Sequence, residues 1–383
     1  MYALIYAINT LWHERNRYLP GILAVTFSAI LIALQCGLLV GLLTLMSLVV
    51  DNTPADIWVG YPHVPSVDQG RPIPDAWGAR IAQFPSVTRL EPTHHGFANW
   101  NYRDPNDPRN NKVDVGMIVG SRLDEGALGA VQQLTPEMRL LLSEPFTIVV
   151  DRSELDRLGL RRGGIGEYAE VNGYRVRVVG LVDGLKGLGA PYLFCSLDTA
   201  RILMQYREDT TTYWLAQCRT PQEAEYVVQQ LNQYPHLAAF TRNRFSWRSR
   251  WHWLVVTKAG VALGMAALLG LIVGSVVTSQ TLYAATAASI REFATMRALG
   301  IPRPKLRGMV LAVSFWVGIF GVGLALPLIF LVATTANTYL GTRIELSWWL
   351  LLGTAIVTMT MALISGLASL RSLSGAGLTE PLR

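Results

Sequence analysis

Few residues of this 383-residue chain have the types and spacing that chemistry needs. A phosphate-cradling loop requires G-x-x-x-x-G-K-[ST], so that backbone N–H groups surround the phosphates while a lysine and a hydroxyl hold the terminal oxygens and the metal. The nearest stretch, GLVDGLKG at Gly180–Gly187, has neither the spacing nor the hydroxyl. RRGGIG at Arg161–Gly166 has the glycines of a dinucleotide turn, but no strand precedes it in a β-α-β unit, and it reads as a glycine-rich turn. Six histidines are scattered, and the adjacent His94 and His95 point to opposite faces of any extended segment, which prevents them from sharing a metal. No G-x-S-x-G occurs, and no serine, histidine and aspartate set can be read. The chain is therefore expected to be no enzyme, to carry no metal and no cofactor of its own, and to leave any nucleotide chemistry to a partner.

One charged stretch does invite a function. SIREFATMRALG at Ser289–Gly300 lies between two long apolar runs. Read as a helix over Thr286–Leu299, it sets Ile290, Phe293, Ala294, Met296, Ala298 and Leu299 along a loose apolar strip with Arg291, Glu292 and Arg297 at its edges; Gly300 caps it and Pro302 stops it. A plain loop needs neither a defined helix nor apolar residues turned to water. An amphipathic peg of mixed charge suits docking into a groove of a partner and moving as a lever with it.

The elements that must position this peg are membrane spans. Hydrophobic residues make up 51% of the chain and charged ones only 16%, a balance uncommon in soluble domains. Apolar runs of the roughly 20 residues that cross a bilayer occur near Gly21–Val50, Leu254–Val277, Met309–Val332 and Trp348–Leu370. The first is too long for the h-region of a signal peptide, and as a helix of about 45 Å it is expected to protrude beyond the hydrocarbon. Arg15 and Arg17, then Arg291, Arg297, Arg303, Lys305 and Arg307, then Arg371 and Arg383 put the basic flanks on one side, whereas Arg343 is balanced by Glu345. The positive-inside bias places both termini and the peg in the cytoplasm and the segment between spans one and two outside. Topology thus accounts for much of the +6 net charge, and no basic cluster with interleaved aromatics points to nucleic acid.

The expected fold is a membrane protein of four transmembrane α-helices with a large α+β periplasmic domain inserted between the first and second spans. Its expected parts are an amphipathic N-terminal helix lying on the membrane (1–18), span one (19–50), the periplasmic domain (51–250), span two (251–280), a cytoplasmic coupling helix and loop (281–307), span three (308–333), a short periplasmic loop (334–346), span four (347–371) and a cytoplasmic tail (372–383). Pro20 is read as the start of span one.

Within the domain, strands are expected at Ala55–Tyr61, Val87–Glu91, Lys112–Gly120, Phe146–Val150, Tyr192–Ser196, Thr212–Cys218 and near Ala238–Thr241. Helices are expected at Asp75–Phe84, Ser153–Leu158, from Asp198 and at Pro221–Gln233. His94–Asn111, rich in Asn, Asp and Pro, reads as a loop, and Asn172-Gly173 as a two-residue hairpin turn within Tyr168–Val182. RNRFSWRSRWHW at Arg242–Trp253 reads as an aromatic and cationic collar at the membrane interface. Cys195 and Cys218 either pair in an oxidising compartment or serve as small hydrophobes in strands.

The spans carry few ionisable groups, Lys258 near an edge among them, which argues against a transporter driven by protons or ions. Gly37/Gly41, Gly260/Gly264 and Gly270/Gly274 are G-x-x-x-G pairs confined to the two spans that flank the domain. They let helix backbones approach closely, and the interface they favour is read as a homodimer in preference to packing within one chain.

REFATMRALG resembles the R-E-I-x-x-x-R-A-L-G element of MacB/FtsX-type ABC transporter permeases. The basic N-terminal helix, the single span, the large external domain, the three further spans and the tail LTEPLR at Leu378–Arg383 extend the resemblance along the chain. ADIWV at Ala55–Val59, VDRSELDRLGL at Val150–Leu160 and VNGYRVRVVGLVDG at Val171–Gly184 look most like the DevC branch, permeases without a fused ATPase. The resemblance implies that Arg291, Glu292, Arg297, Ala298, Leu299 and Gly300 contact a cytoplasmic ABC ATPase, which binds ATP and Mg. It further implies two copies of the ATPase, a second copy of this chain, a periplasmic membrane-fusion adaptor and a TolC-like channel, in an exporter of the bacterial inner membrane that works by mechanotransmission. LolC-like extraction of lipoproteins or lipids, and FtsX-like regulation of a cell-wall hydrolase without transport, are the alternatives it leaves.

Overall fold

In the computed structural model of the chain, residues 13–103, 111–160, 163–288, 295, 302–339 and 344–375 are described. Helix α1 (Arg15–Leu45) opens the described chain. It does not start at Pro20 but runs through it, and Glu14 receives both the Tyr18 amide at 3.4 Å and the Arg17 guanidinium at 2.7 Å. Pro20 lies past the first turn, so the helix forgoes there the i to i−4 bond that an N–H at this position would give to the Asn16 carbonyl. After a turn at Met46-Ser47, α2 (Leu48–Asp51) leads into the α+β domain.

The domain follows in chain order as β1 (Ile57–Gly60), β2 (Ile73–Pro74), α3 (Ala76–Ile81), β3 (Val87–Arg103), β4 (Asn111–Ser121), α4 (Pro136–Leu142), β5 (Thr147–Asp151), α5 (Leu155–Leu158), β6 (Tyr168–Val171), β7 (Tyr174–Val182), β8 (Tyr192–Ser196), α6 (Leu197–Leu203), β9 (Thr210–Thr211), β10 (Tyr213–Cys218), α7 (Pro221–Leu231), β11 (Ala238–Thr241) and α8 (Arg242–Val256). Then come α9 (Lys258–Ala288), α10 (Arg303–Tyr339) and α11 (Trp348–Gly375). Together with α1, these three are long and apolar enough to cross a membrane, so this is a multi-pass membrane protein. The chain divides into two units, residues 1–41 with 258–383 and residues 42–257.

The domain is built around β3. Its first half pairs antiparallel with β10, from Val87↔Cys218 to Thr93↔Tyr213. Its second half pairs with β4 without interruption, from His94↔Gly120 to Arg103↔Asn111, and touches β6 at Trp100 and Asn101. The strand order β11-β1-β10-β3-β4-β8-β5-β7-β6 therefore returns to β3, and the last six strands close into a barrel. Closure removes the free edges that an open sheet would expose. Trp100, Tyr102, Ile118, Ile148, Val178, Leu193 and Cys195 belong to the barrel's buried core. The β11-β1-β10 end carries α7 on one face, where Val227, Val228 and Leu231 meet Ile57, Val59 and Ala216. Thr220 caps α7 by accepting the Glu223 amide at 3.3 Å, and Pro221 takes the first helical position, where its missing N–H costs nothing.

The expected loop at His94–Asn111 is thus a strand as far as Arg103. Alternation decides it: Ala98, Trp100 and Tyr102 are buried while Phe97, Asn99 and Arg103 face out, the period of a half-buried strand. The turn formers that suggested a loop fall mostly in 104–110, outside the described residues. Asn172 (φ 48°) and Gly173 (φ 89°) form the expected turn between β6 and β7, both in the left-handed region that a type I′ hairpin requires.

Cys195 and Cys218 are free and buried in different clusters. Burial pushes both thiols up, Cys218 to about 11 with Asp56 and Glu223 adding to the effect. Thiolate is the reactive form. Both are therefore expected to stay unmodified by maleimide at neutral pH in the native protein and to react fully in denaturant, as mass spectrometry would show; native labelling of either would contradict the packing.

Candidate functional site

The residues singled out for the partner contact, Arg291, Glu292, Arg297, Ala298, Leu299 and Gly300, lie outside the described residues, as do the N-terminal helix before residue 13 and the tail from 376. Thr295 is helical, and α10 begins at Arg303 directly after Pro302.

Within the helical unit, small residues meet polar ones. Ser28 on α1 donates to the Gly274 carbonyl at 3.0 Å and lies 2.9 Å from the Thr278 hydroxyl on α9. Thr26 bonds the Gly321 carbonyl of α10 at 3.1 Å. A Cβ at Gly270 would sit 2.1 Å from Gln35 Oε1 and 2.5 Å from a Leu31 methyl carbon, and one at Gly274 would press on Ser28. Gly270 and Gly274 are therefore spent on packing α9 against α1 of the same chain. Gly37 packs against Ile344 and Leu346, and its carbonyl receives the Glu345 amide at 3.2 Å. Gly41 and Gly260 are buried and Gly264 half-buried. Gly270, Gly274 and Gly37 thus have close neighbours on other elements of the same chain. A G-x-x-x-G pair reports close approach of a backbone and is silent about which helix approaches.

Within the domain, the two chain ends are clasped. Arg250 on α8 donates to Ser47 Oγ at 2.8 Å and to Asp51 Oδ2 at 2.7 Å, while Ser47 donates to the same carboxylate at 2.6 Å. Leu45, Met46 and Leu48 pack on Leu188 and Trp253 beside it, and the Trp253 indole donates to Asp68 at 3.2 Å. Charge-assisted bonds of this kind, half-shielded from water, are the stronger class. Sequence reasoning missed this clasp: Asp51 read as a loop signal and Arg250 as part of a collar.

The collar itself has two faces. Phe245, Ser246 and Ser249 are buried, and Arg248 donates to the Val64 carbonyl at 2.7 Å. Trp247 and Trp251 stack at 6.5 Å and stay 64% and 56% exposed, with Val255 a turn further on. Only this second face fits an aromatic belt.

Among the described residues no group of three or more His, Cys, Asp or Glu is placed to hold a metal. His94 faces Tyr206 and His95 faces Trp58 and Tyr213, on opposite sides of β3. The GLVDGLKG stretch runs from β7 into a loop held by Asp151, which accepts the Leu185 amide at 2.6 Å, and by Arg157, which donates to the Gly189 carbonyl at 3.1 Å. Of the RRGGIG stretch, Gly163, Gly164 and Gly166 all have positive φ, as a glycine-rich turn demands.

Residues 22–234, more than half of the chain, match the family model of the MacB-like periplasmic core domain, and residues 264–378 match that of the FtsX-like permease C-terminal region. No curated protein matches. Among solved structures, the extracellular domain of the noncanonic ABC-type transporter YknZ from Gram-positive bacteria is 10% identical, with 48% of this chain and 98% of that one covered at a TM-score of 0.32. The periplasmic region of MacB from Actinobacillus actinomycetemcomitans is 9% identical, with 50% and 90% covered at 0.34. The two family models carry the assignment.

Proposed function

This chain belongs to the MacB/FtsX-type family of ABC-transporter permeases, and on that premise we propose that it is the membrane subunit of an ATP-driven exporter of the DevC kind, relaying a cytoplasmic stroke to a domain outside the inner membrane. Permeases of this family work with an ABC ATPase. The observation that carries the reading is the layout: an α+β domain inserted between the first and second of four apolar helices and clasped at its base by Arg250, Ser47 and Asp51. In this reading both termini are cytoplasmic, the chain works as a homodimer among membrane lipids, and two ATPase subunits bind ATP and Mg. Arg291, Glu292, Arg297, Ala298, Leu299 and Gly300 take the ATPase contact, and the domain drives cargo through a membrane-fusion adaptor into a TolC-like channel.

Co-purification of the chain with its cognate ATPase tests this. Two charge-assisted contacts contribute about 1.5–3 kcal/mol each, so Glu292→Ala/Arg297→Ala is expected to lower ATPase recovery at least about tenfold, or to leave assembly intact and abolish coupling to transport. Full retention of assembly and of coupling would remove this helix from the mechanism.

A further inference from the structure

We propose that the outer face of the barrel carries a binding groove for an aliphatic amine, with the ammonium held by Glu170 and Asn101 and the methylene chain laid against Val113 and Met204; the site stands independently of the transport reading above. The strand register builds it. Asn101 on β3 lies directly opposite Val113 on β4 and directly opposite Glu170 on β6. Residues directly opposite share one face of a sheet, with Cβ atoms about 5 Å apart, so these three form a row across three strands. Trp100, the preceding residue on β3, belongs to the barrel core, which puts the row on the outside, where Val113 is 72% exposed. Asn99 joins the same face by the two-residue period of the strand. The cavity over this row measures about 590 Å³, and the Asn172-Gly173 turn and Met204-Gln205 at the end of α6 wall it.

The walls are fixed in advance. Asn172 accepts the Asn99 amide on its Oδ1 at 2.8 Å and donates from its Nδ2 to the Leu203 carbonyl at 2.9 Å, which ties the turn to β3 and to α6. Helix α6 ends with the Gln205 amide on the Ile202 carbonyl and the Tyr206 amide on the Arg201 carbonyl, both at 3.0 Å. This pair of bonds needs a left-handed residue after the cap, a place that glycine usually takes. Here it is Gln205, at φ 55°. A side chain there strains the backbone, and this side chain belongs to a residue that lines the groove. Strain of that kind clusters where ligands are held.

The lining selects the ligand. Among the described residues that form it, Glu170 carries the only formal charge. Arg175, directly across from Glu170 on β7, stacks on the Tyr168 ring at 4.0 Å. Asn101 Oδ1 is buried with no hydrogen-bond partner, an acceptor that calls for a donor. A carboxylate and an unfilled acceptor in one row suit N–H groups that carry positive charge, and charge-assisted bonds are the stronger class. Val113 and Met204 give a short alkyl chain apolar surface to cover. An anion would meet Glu170 as a like charge.

The test titrates the full chain, in nanodiscs of zwitterionic lipid at neutral pH, with cadaverine as the probe and pentanediol as its uncharged counterpart, and reads binding by calorimetry. Cadaverine is expected to saturate a single site per chain, and pentanediol to bind at least about tenfold more weakly. Glu170→Gln is expected to lower cadaverine affinity at least about tenfold, whereas Glu137→Gln, which removes an exposed carboxylate on α4, is expected to match the wild type. Gln205→Gly is expected to weaken cadaverine binding while leaving the urea midpoint of the domain unchanged or higher, because glycine takes the left-handed position without strain. A response without saturation, equal binding of the diol, or an equal loss from Glu137→Gln and Glu170→Gln would overturn the site, as would unchanged affinity in both groove variants.

Discussion

Acidification from pH 7 to 4.5 is expected to destabilise the α+β domain by on the order of 2–3 kcal/mol for either of two histidines. His94 and His95 are 4% and 1% exposed in β3. Burial drives both down, His94 to about 4 with the Arg201 charge helping and Asp198 opposing, and His95 to about 3 with His94 helping. Folded, both are mostly neutral across this range, His94 beginning to take a proton only at its acid end; unfolded, both take a proton near pH 6.5. Between about pH 6.5 and these low values the unfolded chain binds more protons, so their contribution is complete above 6.5 and is lost as the pH falls. Glu154 works the other way. Its carboxyl is buried and pushed up despite Arg157 and Lys186, so its protonation favours the folded form as the pH drops. Urea midpoints of the domain, followed by tryptophan fluorescence in the full chain, check the balance. His94→Gln/His95→Phe is expected to remove more than half of the pH dependence, and an unchanged slope would place the acid sensitivity elsewhere.

The same histidines show where sequence reading stops. Their opposite orientation follows from adjacency in a strand and was legible, but the strand itself was not, because Asn99, Asn101 and Asn111 sit among turn formers. What makes 94–103 a strand is ten successive pairings with β4, and pairing is a property of two segments. The two-residue turn at Asn172-Gly173 was legible because its chemistry is local: both residues must reach positive φ. The four spans were legible for a similar reason, since length and apolarity suffice. Gly270 and Gly274 marked a close approach, yet only coordinates show Ser28 and Gln35 on the other side. The Arg250 clasp joins residues 203 and 199 positions apart in the chain, and no spacing rule reaches that far. For the stretch Ser289–Gly300 the signal is entirely in the sequence, and Glu292→Ala/Arg297→Ala tests it directly.

Trp58→Ala is expected to cost the domain about 3–5 kcal/mol, the range for a buried large aromatic, and Trp58→Phe less than about 1.5 kcal/mol. The contrast comes from the indole's surroundings. Trp58 is fully buried on β1, edge-on to His95 at 5.6 Å and to Tyr213 at 5.5 Å and tilted against Phe245 at 5.7 Å, so alanine leaves a cavity among three rings. Its Nε1–H has no hydrogen-bond partner, and an orphaned buried donor is itself destabilising by about 1–3 kcal/mol. Phenylalanine keeps most of the ring contact and discards that donor, which offsets part of the lost area. Phe245 belongs to α8, the helix that carries Arg250, so the Trp58 contact seats the clasp-bearing helix on the sheet. A double-mutant cycle between Trp58→Ala and Phe245→Ala is therefore expected to show about 0.5–1.5 kcal/mol of coupling. The Trp58→Ala chain should also lose part of the protection that the Arg250–Asp51 pair gives the residues around Ser47 in hydrogen exchange. Additive losses with unchanged protection there would mean that α8 is held by the clasp alone and owes nothing to the aromatic core.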